Sequence, residues 1–249
     1  MKYVYSGISE QNARASNMDS LMIAEKVLSN CKLLLAVICD GVGSTVDGAK
    51  ASAYVVRELR GWFTELSIVD QAGMQMREKM MQINHELVET IEATSGRAAS
   101  TGSALLLVDD EYFIVHCGDS RVYEIRGDKL FCCTKDMVSE QGRLTSYFGK
   151  RSDFLLDYNN GKLTQDGFLM CTDGLYKKLA LEQISLETTK HTKWRLKKEL
   201  SYLVTQAIAQ GEQDNITAAL VKIEYTGRTS EAYISKAGES SAETLLTEG

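Results

Sequence analysis

Residues 32–39, Lys-Leu-Leu-Leu-Ala-Val-Ile-Cys, form a near-continuous apolar run that stops at Asp40-Gly41. Such a run, bounded by a turn signal, reads as a strand buried on both faces, so other layers must cover it on either side. The construction returns in Phe168-Leu-Met-Cys-Thr-Asp173-Gly174. Arg14-Ala-Ser-Asn17-Met-Asp19 and Asp214-Asn215-Ile-Thr add two more aspartates beside small polar residues. A strand ending in Asp-Gly leaves a carboxylate at a sheet edge, followed by backbone free to turn sharply. Several such ends brought together make an all-oxygen pocket, which suits Mg²⁺ or Mn²⁺ rather than zinc.

The rest of the chain supplies the covering layers. Strands are expected at 2–8 and 20–28, then at 101–108, 112–117, 121–126 and 129–133, with Asp109-Asp110 and Gly127-Asp128 as hairpin turns. Helical periodicity runs from about Thr45 to Leu66 and from Gln71 to Ala93, where Met76, Met80, Ile83, Leu87 and Ile91 recur at three- and four-residue steps. That stripe reads as core. A polar stretch at 135–153 reads as a surface segment or flap. A strand pair at 154–158 and 167–172 follows, then short helices at 175–179 and 181–186. A longer helix over 192–209 should face the core with Trp194, Leu200, Leu203, Ala207 and Ile208, and a last strand spans 216–225. This order fits two packed sheets with helices outside better than alternating βαβ units. Residues 1–225 are expected to form one domain. Residues 226–249, rich in Ser, Thr, Glu and Gly, read as a disordered tail.

The formal charge is -6, and Lys193 to Lys198 is the only basic block, best read as the solvated face of a helix. Nucleic acid is therefore not expected as a partner. No apolar stretch reaches the length of a membrane span or a signal-peptide core. The six cysteines lack CxxC spacing and mostly sit in apolar strands, which reads as buried free thiols in a reducing cytoplasm. The three histidines, His85, His116 and His191, have no metal-ligand spacing, and His116 reads as a satisfied, partly buried side chain. Ser120 reads as a turn residue, and Arg121 as the partner of a carboxylate.

Two hard cations about 3.5–4 Å apart can share a carboxylate and a water, lowering that water's pKa toward neutrality for in-line attack on phosphorus. Asp40 suits the bridging position because Gly41 adds a close carbonyl. Asp173 and Asp214 would complete one metal, Asp19 would hold water on the other, and Arg14 would offer a planar fork to phosphate oxygens.

These motifs, in this order, resemble the metal-dependent protein phosphatases of the PP2C (PPM) family in its compact bacterial form. Ala99-Ser-Thr101-Gly-Ser-Ala-Leu and His116-Cys-Gly118-Asp119-Ser120-Arg121 add to the likeness, which covers roughly residues 5–224. The resemblance implies an α+β fold, a four-layer αββα sandwich with two central antiparallel sheets flanked by helices. It implies a centre of two Mn²⁺ or Mg²⁺ ions that hydrolyses phosphoserine and phosphothreonine on proteins. Asp40, Asp173, Asp214 and the Gly41 carbonyl match the metal ligands, Asp19 the second-metal water ligand, and Arg14 the phosphate-binding arginine. Asp119 matches the aspartate that, with Asp173, can hold a third metal. The sequence departs from the pattern in three places. Met18 replaces the common Glu or Gln, Val42-Gly43-Ser44 carries no histidine, and the flap from Lys135 to Ser152 is reduced. The expected protein is a cytoplasmic monomer opposing a Ser/Thr kinase. Two alternatives stay open: a catalytically weak binding or regulatory module of the same fold, and a phosphatase of a small phosphorylated molecule.

Overall fold

The computed structural model describes residues 1–43, 45, 47–94, 97–186 and 192–225, and the expected tail lies outside them. Among the described residues, ten strands form two antiparallel five-stranded sheets. They are β1 (Lys2–Glu10), β2 (Asp19–Leu28), β3 (Cys31–Asp40), β4 (Gly102–Val108), β5 (Glu111–Cys117), β6 (Arg121–Arg126), β7 (Lys129–Cys132), β8 (Asp157–Lys162), β9 (Gly167–Cys171) and β10 (Ile216–Glu224). One sheet runs β1-β10-β9-β6-β7 and the other β2-β3-β4-β5-β8. Helices α1 (Gly48–Glu65) and α2 (Ala72–Thr94) cover the second sheet. Helices α3 (Asp173–Tyr176) and α4 (Lys193–Ala209), with a 3-10 turn at Leu181–Gln183, cover the first. The expected four-layer sandwich is the observed one.

Period-two alternation builds all three apolar layers. On β3, Leu33, Leu35, Val37 and Cys39 pack under α1 and α2, while Leu34, Ala36 and Ile38 face the other sheet. On β10, Ala218 and Leu220 lie under α4, while Ala219, Val221 and Ile223 face inward. The methionine stripe of α2 is core: Met76, Met80 and Ile83 are fully buried. Asp109, at φ 46°, and Gly127, at φ 61°, form the two expected hairpin turns.

Several expectations are corrected. Helix α1 starts at Gly48 rather than near Thr45, because Thr45 closes a turn onto Val42 through its N–H and hydroxyl at 2.9 and 2.7 Å. The strand pair expected at 154–158 and 167–172 does not form. The first strand begins at Asp157 and pairs with β5, whereas β9 lies between β10 and β6 in the other sheet. Trp194 and Ile208 are exposed; the core face of α4 is Leu196, Leu200, Leu203, Val204 and Ala207. The flap is more than a surface segment. Phe148 is fully buried against Phe154, and its backbone exchanges hydrogen bonds with Ser100 at 2.8 and 3.2 Å.

Candidate metal centre

The site forms where the layer between the sheets runs out of apolar residues. On the inward face of β3 the series Leu34, Ala36, Ile38 continues to Asp40. Asp40 stands directly opposite Asp19 in the β2–β3 register, so both carboxylates project from one strand pair toward the other sheet. There, Phe168 and Met170 of β9 lead on the same alternation to Thr172, whose hydroxyl crosses the gap to donate to Asp19 Oδ2 at 3.0 Å. The Thr172 hydroxyl also accepts the Thr217 N–H at 3.0 Å. The strands β3, β9 and β10 are interior to their sheets, so Asp40, Asp173 and Asp214 sit at or beside the ends of interior strands, while Asp19 opens the edge strand β2.

The end of β3 is held firmly. The Asp40 N–H donates to Thr101 Oγ1 at 2.9 Å, and its carbonyl accepts from Ser100 Oγ at 3.0 Å and the Thr101 N–H at 2.8 Å. Gly41 is required for close approach rather than for a turn, because its φ is not positive. A Cβ there would stand 2.4 Å from the Gly48 carbonyl oxygen and 2.7 Å from that of Met18. Met18, the departure from the resemblance, contributes backbone: its carbonyl accepts from Gly41 N and Ser52 Oγ, and its N–H donates to Asn215 Oδ1. Asn215 completes the tie by donating to the carbonyls of Gln11 and Ser16, which fixes the loop carrying Arg14.

Asp119 follows β5 and Asp173 opens α3. The Tyr176 hydroxyl donates to the Asp119 carbonyl at 2.9 Å, and Arg121 stacks on the Tyr176 ring at 3.7 Å. Arg121 pairs with Asp136 of the flap through two bonds of 2.9 and 2.8 Å, the bland role expected of it. His116 is fully buried rather than partly so. Its Nδ1 meets Ser103 Oγ at 2.8 Å, and burial pulls its pKa down, which favours the neutral ring.

Crowding of carboxylates shows in their proton affinities. Burial pushes Asp40 well above the carboxylate range, and Asp19, Asp173, Asp119 and Asp214 add to the effect. Asp19 is pushed up to about 6 by burial, against the hydroxyls of Thr217 and Thr172. Asp119 reaches about 6 through burial and then Asp173. Asp214 behaves oppositely: burial would raise it, but Arg14 and the Asn215 N–H hold it below the usual range. Such a cluster of like charges is what a bound cation relieves.

Two cations of the chain already lie against it. Arg14 forks onto Asp214, with Nε and Nη2 each 2.7 Å from a carboxylate oxygen. Lys177 pairs with Asp173 Oδ2. Among the described residues no three acidic, cysteine or histidine side chains close on one common point as metal ligands do. The two ion pairs hold two of the five carboxylates. The donor set fits a hard cation nevertheless. Asp19 Oδ1 and Asp173 Oδ1 are buried without a hydrogen-bond partner, and all the candidate donors are oxygens. A cavity of about 910 Å³ lies apart from the carboxylates, lined by Arg97, Tyr147, Lys150 and neighbours, and none of the five aspartates lines it.

The residues singled out from sequence therefore meet at one end of the sandwich, with Arg14 placed on Asp214. The sequence reading passed over Thr172, Thr217 and Lys177. Thr172 was legible as the polar residue that continues the Phe168–Met170 alternation. Lys177 was legible as the i+4 neighbour of Asp173 on a short helix.

Oxygen-only donors gathered between two antiparallel sheets are the donor type that a hard divalent cation takes. Comparison with known proteins narrows this. Residues 7–221 match the family model described as Protein phosphatase 2C. The chain belongs to that family, and is by membership a protein serine/threonine phosphatase. A putative protein phosphatase of Mycoplasma genitalium is 26% identical over 262 aligned positions, covering 89% of this chain and 96% of that protein. The serine/threonine phosphatase stp of Listeria monocytogenes is 26% identical, over 80% of this chain and 88% of that one. Among solved structures, a bacterial serine phosphatase superposes with a TM-score of 0.80 at 21% identity, covering 90% of this chain and 99% of that one. Stp1 from Staphylococcus aureus gives 0.76 at 20% identity, covering 90% and 96%. These two structural likenesses speak to the fold, which they share with this chain. Metal dependence is general to the family.

Proposed function

We propose that this protein hydrolyses phosphoserine and phosphothreonine on other proteins with two Mn²⁺ or Mg²⁺ ions. Asp19, Asp40, Asp173, Asp214 and the Gly41 carbonyl hold the ions. The observation that carries the reading is the pair of buried, unpartnered carboxylate oxygens, Asp19 Oδ1 and Asp173 Oδ1, among mutually repelling aspartates. Leaving such atoms unmatched costs about 1–3 kcal/mol each, more when charged, which is tolerable where a ligand recovers it. When bound, the ions supply Lewis-acid activation of the attacking water and neutralise phosphoryl charge.

The chain supplies the positioning. Asp40 projects from a strand end fixed by Ser100 and Thr101, and Thr172 holds Asp19 from the opposite sheet. The fork of Arg14 that grips the Asp214 carboxylate matches phosphate oxygens equally well, so we assign it to the substrate phosphate. Water attacks phosphorus in line as the bond to the seryl or threonyl oxygen breaks. No histidine stands among residues 42–44, so the departing alkoxide takes its proton from water.

Residues 1–225 act as one catalytic domain in this reading. Its partners are phosphorylated proteins and an opposing Ser/Thr kinase, and the working unit is a monomer. The free cysteines, three of them buried, support a cytoplasmic setting. Among the described residues no helix is long and apolar enough to cross a membrane.

The test is steady-state hydrolysis of a phosphothreonine peptide and of an aryl phosphate, each with Mn²⁺ and with EDTA. Turnover of both that EDTA abolishes supports the reading. Turnover of the aryl ester alone points to small phosphorylated substrates. No turnover by folded protein in Mn²⁺ points to a binding module.

A further inference from the structure

We propose that the Lys177 ammonium takes the place of a third divalent cation beside Asp119 and Asp173, so that the loaded enzyme holds two ions and not three. This rests on the two-ion reading above and specifies which charges complete it. Asp119 and Asp173 are the two carboxylates that the family resemblance assigns to a third ion. In this chain Asp173 Oδ2 is already engaged by Lys177, which caps the C-terminal end of α3 one turn on from Asp173. Lys177 also lies in the fields of Asp173, Asp119 and Asp214. The Asp173 carboxylate is 11% exposed, so a cation bound there is poorly replaced by water.

The geometry around the pair fixes it. Tyr176 precedes Lys177 and donates to the Asp119 carbonyl, while Arg121 stacks on the Tyr176 ring and grips Asp136. Asp119, the turn of α3 and the flap are thereby locked in one arrangement, with Lys177 Nζ on the acidic side.

Charge balance agrees. Asp19, Asp40, Asp119, Asp173 and Asp214 bring five negative charges when ionised, and Arg14 and Lys177 return two positive ones. Two divalent ions turn the remaining deficit of three into a single positive charge, suited to a phosphate dianion. A third would leave three positive charges around one lysine, with one of its two carboxylates already engaged.

The experiment counts Mn²⁺ per chain by equilibrium dialysis and elemental analysis, from micromolar to millimolar free Mn²⁺. It compares the wild type, Lys177→Gln, Lys177→Arg and the double variant Lys177→Gln/Asp119→Asn. The expected counts are two for the wild type, three for Lys177→Gln, two for Lys177→Arg, and two again for the double variant. The Lys177 side chain is 55% exposed, so its replacement should leave the fold intact. Three ions in the wild type, or two in folded Lys177→Gln, overturn the proposal. No bound Mn²⁺ in any of the four overturns the two-ion reading itself, and this proposal with it.

Discussion

Along one face of β3, Leu34, Ala36 and Ile38 are sealed against the opposite sheet, and the next residue on that face is Asp40. The two regions share strands, register and alternation, yet their energetics oppose. In the apolar layer the side chains are buried against one another, worth roughly 25 cal/mol per Å² of apolar surface removed from water. At the strand ends, burial works against the side chains: it raises Asp19, Asp40 and Asp119, and it leaves carboxylate oxygens unmatched. The apolar layer stabilises the fold. The ionic end draws on that stability to hold charges where a cation and a phosphate can use them.

The sharpest way to break this comparison is Asp40→Asn. Turnover should fall on the order of 10³-fold, comparable to losing one preorganised electrostatic contact in other enzymes. The metal-free protein should at the same time melt higher, because a buried like charge has gone. A gain of about 1 kcal/mol corresponds to roughly 2–4 °C for a chain of this size. Calorimetry in EDTA beside a rate assay reads both, and a lower melting point with normal turnover would reverse the assignment of the two regions.

Two residues earlier on the same face, Ile38→Ala should do the opposite. It should cost about 2–4 kcal/mol of stability through a cavity, measured by urea unfolding, while Mn²⁺ binding by the folded fraction stays intact. Loss of Mn²⁺ binding with full stability would show that the apolar layer is part of the site.

Thr172→Val probes the boundary. Removing the hydroxyl that bridges Asp19 and the Thr217 N–H should weaken Mn²⁺ binding by roughly 10–100-fold, as outer-shell partners of metal ligands do. Titration calorimetry would show it, and unchanged affinity would remove Thr172 from the site. The smallest effect is expected at the exposed rim. Arg14→Ala should raise KM for a phosphopeptide by about tenfold, or about 1.4 kcal/mol, with kcat changed less. An unaltered KM would leave Arg14 as a partner of Asp214 only.

Much of this is legible in the sequence. The run ending at Asp40 required layers on both sides of β3, and the sandwich supplies them. The aspartates singled out from the sequence lie at one end of the sandwich, because each ends or adjoins a strand whose alternation is readable, although among the described residues no three of them close on one point. What escaped was whatever depends on long-range packing. Trp194 and Ile208 fit an apolar periodicity, but the face of α4 that docks is set by the sheet beneath it. The polar stretch around Phe148 concealed an anchor, since the isolated pair Tyr147-Phe148 among polar neighbours carries no periodic signal. Gly41 looked like a turn residue, while its actual constraint is the approach of the Gly48 and Met18 carbonyls, distant in sequence. Arg14 on Asp214 could not be read either, because that pair joins residues 200 positions apart.

The most direct test of the central claim is a crystal of the full chain grown in Mn²⁺, with anomalous diffraction at the manganese edge. The account predicts two peaks at the end of the intersheet layer, both bordered by Asp40, with Asp19, Asp173 and Asp214 around them. Absence of any peak beside Asp40 in Mn²⁺-saturated crystals would contradict it.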